Sequence, residues 1–179
     1  MKTLLACLFA LCVALPSLAA DNALDALSYS GARARLEATA KHFPGMTISK
    51  GEEAEGGTRF QLTPTMKAVV TKGENDSVAE VFFMVTPDPA TSQDKRLMKF
   101  VEDMTACAEF SGYFLFPEFG NMPEFRDVLL KTVSPMNQDL VKELGKKCSL
   151  HLTDVGTDYL AMLTPQGMYI LSLQRIQKK

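Results

Sequence analysis

The sequence predicts an α+β fold: one antiparallel sheet of about 5–7 strands with helices packed on one face. Three observations predict it. Residues 30–43 and residues 92–110 carry apolar residues at helical spacing. The runs before and after the second stretch are short, apolar or alternating, and are joined by Gly-, Pro- and Asn-containing turns of hairpin length. Lastly, the pattern helix, short strand, Gly-Thr, strand, Leu-Thr-Pro, strand occurs at residues 30–71 and again roughly 100 residues on. That recurrence admits two pseudo-repeated α-β-β-β units, with pseudo-twofold halves in one sheet. The alternative is convergence, since unrelated hairpins use the same turn residues.

The elements follow in order. Ala32, Leu36, Ala40 and Phe43 fall on one helical face, and Pro44-Gly45 ends that helix. Residues 46–49 read as a short strand and the charged residues 50–57 as a loop. Residues 59–62, 66–71 and 78–86 read as strands, with a turn at residues 73–76; Val-Ala-Glu-Val-Phe-Phe-Met-Val-Thr is the most apolar of them. Residues 87–90 break the meander. Thr91 or Ser92 caps a helix to about residue 110, with Leu97, Val101, Met104 and Ala108 as its buried stripe and Cys107 beside it. Gly112 is expected to end it. Pro123 opens a helix to residue 133, and residues 137–147 make a third, with Leu140, Leu144 and Cys148 on one face. Residues 150–153, 159–163 and 168–175 close the sheet, the last two joined by Thr164-Pro165-Gln166-Gly167.

Residues 1–20 have the form of a secretory signal peptide: Lys2, an apolar run over residues 4–15, then Ser17-Leu18-Ala19-Ala20, with cleavage expected after Ala19 or Ala20. The apolar run is short for an uncleaved anchor, and Cys7 lies too near the start for a lipoprotein signal. Residues 21–179 then form a single domain. The formal charge of the whole chain is −2, and cleavage removes one lysine. A slightly acidic chain without a basic cluster argues against nucleic acid and against anionic lipid. No later segment is long enough to span a bilayer. Of four cysteines, Cys107 and Cys148 remain after cleavage, and an exported chain with two is read as carrying one disulfide. The chain-entropy estimate for so long a loop is about 4 kcal/mol. Cys148 and His151 also have C-x-x-H spacing, but a zinc site lacks further ligands.

Candidate chemistry is sparse. His42 sits at a helix end and His151 on the solvent side of a strand, where Asp154, Asp158 and Ser149 or Ser172 could complete a Ser-His-Asp set. No G-x-S-x-G, Walker, dinucleotide or calcium-loop pattern occurs, and no cofactor is expected. Glu52, Glu53 and Glu55 read as solvated acids, and Asn75-Asp76-Ser77 as a formal glycosylation sequon. Five of the eleven Phe lie between residues 110 and 125. The stretch Phe-Pro-Glu-Phe-Gly-Asn-Met-Pro-Glu-Phe at residues 116–125 is read chiefly as core sealed between helices. Its functional reading makes Phe114, Phe116 and Phe119 partner or ligand contacts on an aromatic tip. The expectation is an exported, non-enzymatic protein that binds or inhibits a protein or other envelope macromolecule. The alternatives are a carrier of apolar ligands and a small hydrolase using His151.

Overall fold

The computed structural model describes Leu24, residues 26–124, 126–127, 129–131, Asn137, Lys142, residues 147–152 and residues 157–175; side chains of Asp94, residues 147–152 and Arg175 are outside that description. The fold is α+β. Helix α1 (Ala32–Ala40) precedes strands β1 (Glu52–Ala54), β2 (Gly57–Gln61), β3 (Met66–Lys72) and β4 (Val78–Val85). Helix α2 (Gln93–Leu115) follows, then β5 (Lys147–Leu152), β6 (Thr157–Leu163) and β7 (Tyr169–Arg175). All seven strands join one antiparallel sheet in the order β1-β2-β3-β4-β7-β6-β5.

Alternation assigns each strand residue to a face. Phe60, Ala68, Val70, Val81, Phe83, Val85, Tyr159, Ala161, Leu163, Tyr169, Leu171 and Leu173 are buried on one face. The helices cover it with Ala32, Leu36, Phe100, Met104, Cys107, Ala108, Phe110 and Phe114. An aromatic chain crosses this layer. The His42 ring stacks on Tyr113 at 4.3 Å, Phe43 meets Tyr113 and Phe110, and Phe83 on the sheet meets Phe110 and Phe114.

Several boundaries differ from the sequence expectation. Residues 46–49 form no strand, although Thr47 and Ser49 donate backbone hydrogen bonds to Leu62 and Gln61. The expected loop at residues 50–57 instead contains β1, because Gly56 in the left-handed region (φ 74°) turns the chain back onto β2. Helix α2 does not stop before Gly112 but runs on through Leu115. Gly112 serves a different purpose: a Cβ there would stand 2.6 Å from the Phe119 ring. Leu97, expected in the buried stripe, is 59% exposed beside Met98, which is exposed as well, and Val101 is half-buried. Cys148 lies on strand β5 and not at a helix end. Leu140 and Leu144 lie outside the described residues, as do residues 1–23.

The pseudo-twofold does not appear in the sheet. Strands β3 and β7 are each antiparallel to β4, so they are parallel to one another. A twofold normal to the sheet would require them antiparallel. The strand order nevertheless sets β1-β2-β3 and β5-β6-β7 on either side of β4, and the Leu-Thr-Pro echo marks a turn of the same build in each half. In both turns a threonine hydroxyl accepts the backbone N–H of the methionine that re-enters the sheet: Thr63 from Met66 (2.9 Å) and Thr164 from Met168 (3.0 Å).

Two long-range devices fix the helices. Arg35 of α1 donates from Nε to the Phe114 carbonyl (2.7 Å) and from Nη2 to the Leu115 carbonyl (2.9 Å). It therefore caps the negative end of α2 with a cation. Asp76, in a left-handed turn, accepts from the Ser30 backbone and hydroxyl, tying the start of α1 to the β3–β4 turn.

Candidate functional site

The second face of the sheet carries the least expected side chains. Both described helices bury their residues against the opposite face, so an antiparallel sheet should turn polar residues outward here. Three cross-strand rows can be read from the register. The first is Thr71, Glu80, Gln174 and Asp158, ending at His151 on β5. The second is Arg59, Val69, Phe82, Ser172 and Leu160, ending at Ser149. The third is Gln61, Lys67, Met84, Ile170 and Met162, ending at Lys147. The last two rows hold six apolar side chains, Val69, Phe82, Met84, Leu160, Met162 and Ile170, all half-buried. They form one contiguous apolar band across β3, β4, β7 and β6.

Local sequence explains the band. In β4, β6 and β7 apolar residues run continuously (Val-Phe-Phe-Met-Val, Tyr-Leu-Ala-Met-Leu, Tyr-Ile-Leu) where alternation would serve one covered face. Such runs belong to strands whose two faces are both covered. This signal is present in the sequence itself.

The band has charged margins. Glu80 accepts from the Ser172 hydroxyl and the Gln174 amide, so its carboxylate is held in place on the sheet. Half-buried Asp158 stands two strands from it in the same row. On the other margin, Lys67 is half-buried beside Met84, and Lys147 occupies the register position opposite Met162. At the β2 end Arg59 pairs with Glu52, whose carboxyl the Arg59 hydrogen bond holds below its ordinary range.

The residues singled out from sequence fall elsewhere. Phe114 and Phe119 are fully buried and Phe116 is nearly so. They are core and not a tip: the Phe119 ring lies over Gly112 with its edge toward Tyr113, 5.0 Å between centroids. Residue 125 lies outside the described residues. Cys107 is fully buried, which pushes its thiol pKa up, and it lies beside Tyr159. The side chains of Cys148 and His151 are outside the description; the backbone places His151 in register with Asp158. Asp154 is likewise outside the described residues. Ser172 is buried and committed to Glu80, and Ser149 stands opposite Leu160, one row from His151. Among the described residues no three His, Cys, Asp or Glu come together as metal ligands. No described helix is long and apolar enough to cross a membrane. A hollow of about 270 Å³ lies at the surface between α1 and Met46–Ile48, with Glu37 and Lys41 on its rim. No known family, no curated protein and no solved structure matches this chain.

Proposed function

We propose that this chain is an exported binding protein that recognises a macromolecular partner through the face of its sheet opposite α1 and α2. The observation that carries the reading is the apolar band of Val69, Phe82, Met84, Leu160, Met162 and Ile170, rimmed by Glu80, Asp158 and Lys67. A contiguous apolar patch within a polar rim is the composition of a protein interface. Its side chains stand on paired strands, so the surface is preorganised and little is lost in ordering it on binding. The signal-like form of residues 1–20 supports a partner in the envelope or outside the cell.

Export also supports a Cys107–Cys148 disulfide. Cys148 is in register with Ala161, two residues along β6 from Tyr159, the neighbour of Cys107. Closing it removes two protons and two electrons, which pass to the disulfide of an exported thiol oxidoreductase. Because burial raises the Cys107 thiol, the exchange belongs to folding, before the core closes over it.

The binding reading is tested with a photo-crosslinking residue in place of Phe82, illuminated in the native envelope fraction. The expected result is a protein adduct, absent when the same residue replaces Glu37 on the helix side. A folded Phe82 variant that forms no adduct would sink the proposal.

A further inference from the structure

We infer that the edge segment at residues 46–50 is a second binding site, which takes an extended acidic peptide as an added strand beside Ile48. The site lies alongside the end of β2 and is separate from the apolar band on the sheet face. Thr47 and Ser49 donate to the Leu62 and Gln61 carbonyls, so both N–H groups turn toward β2. Two residues of the edge advance against one of β2, the spacing of a bulge. Extended backbone alternates, so the N–H and C=O of Ile48, between them, turn outward. Among the described residues neither group has a hydrogen-bond partner. An outward N–H and C=O on one edge residue are the pair that an added strand engages.

Side-chain placement agrees with that choice. Ile48 packs its side chain toward the core, on the helix side of the sheet. The residue of an added strand that pairs with Ile48 points its side chain to the same side. There it meets the hollow of about 270 Å³ that Ala40 and Lys41 of α1 form with Met46 and Ile48, which has room for one aliphatic side chain. A free apolar molecule in that hollow would leave the Ile48 groups unpaired, whereas an extended peptide satisfies both. Charge selects the composition of the peptide. Exposed Lys41 borders the hollow and exposed Lys50 lies two residues beyond Ile48. Neither lysine pairs with an acid among the described residues, while Glu37 on the rim is already taken by Arg33. Residues two before and two after the aliphatic one share its face, so acids at those positions stand on the side of the two lysines.

The test is a heteronuclear NMR titration of the full chain, as purified after export, with the end-capped peptide Thr-Asp-Thr-Leu-Thr-Asp-Thr, joined to amide hydrogen exchange. In the free protein the Ile48 amide exchanges faster than those of Thr47 and Ser49. Saturating peptide shifts the resonances of Ala40, Lys41 and Ile48 and slows Ile48 exchange at least tenfold. N-methylation of the peptide leucine, whose amide faces Ile48, abolishes binding, while N-methylation of the threonine after it, whose amide faces away, leaves the Kd within about twofold. A peptide with lysines in place of the aspartates binds at least fivefold more weakly, and the Lys41→Glu, Lys50→Glu double variant reverses that preference. An Ile48 amide already protected in the free protein overturns the inference, because the edge is then paired within the chain. A leucine N-methyl peptide that binds as well as its parent overturns strand addition, and a peptide that moves no resonance of the hollow overturns the site. Shifts confined to Phe82 and its neighbours overturn it too and assign the peptide to the sheet face.

Discussion

Replacing Gly112 by Ala tests the reading of the aromatic stretch as core. The added Cβ would stand 2.6, 2.7 and 3.0 Å from three atoms of the Phe119 ring. Ordinary carbon contacts are about 3.5–4.0 Å, so the ring must retreat by about 1 Å. It has little room, being fully buried with its edge against Tyr113. Overpacking of this kind costs about 1–3 kcal/mol. The helix gains at most about 1 kcal/mol from exchanging glycine for alanine. The net expectation is a loss of about 1 kcal/mol and a fall in Tm of about 2–4 °C. In a Phe119→Ala background, itself weaker by about 3–5 kcal/mol, the obstruction is gone. There Gly112→Ala should stabilise by up to about 1 kcal/mol. Guanidinium unfolding followed by circular dichroism, run as a double-mutant cycle, measures both steps. A Gly112→Ala effect of the same sign and size in both backgrounds would refute the contact.

Three further expectations concern the devices that hold the fold. Arg35→Ala should destabilise by about 2–4 kcal/mol, because it frees two carbonyls at the end of α2, and Arg35→Lys should recover only part of this, lacking the forked donor pair; chemical denaturation decides. Asp76 has its carboxyl held below the ordinary 3.8 chiefly by the Ser30 hydroxyl. A depressed folded value means its contribution is present above about pH 4 and is lost as pH falls through that folded value. Denaturation midpoints taken from about pH 5 to about pH 2 should therefore fall less steeply in Asp76→Asn than in wild type, while equal slopes would exclude the bond. Asp88, held low by the Ala90 backbone and the Thr91 hydroxyl, adds to the same acid window. Finally, alkylation of the denatured exported chain should modify neither Cys107 nor Cys148 until a reductant is added; labelling of either without reduction rules out the bridge.

Much of the fold was legible because its determinants are local. The α2 periodicity at Met104 and Ala108, the apolar run of β4 and the Thr164–Gly167 turn each express backbone sterics and side-chain spacing over a few residues. The misplaced features have non-local causes. Gly112 reads as a helix stop, but its use is to admit a ring seven residues further along the chain. The strand character of Cys148 comes from pairing with Ala161 and not from its own neighbours.

For the candidate site the division is sharper. The sequence by itself determined that β4 and β6 carry apolar residues on both faces, as β7 does at Ile170, since alternation is written in consecutive residues. Only the tertiary structure decided which face α1 and α2 occupy and, through the register of β3, β4, β7 and β6, that the leftover side chains form one band with Glu80 and Asp158 on one margin and Lys67 on the other. The physical reason is that a strand's pattern is set within the strand. Whether its second face is left open depends on where distant helices pack, and that arrangement exists only once the sheet has formed.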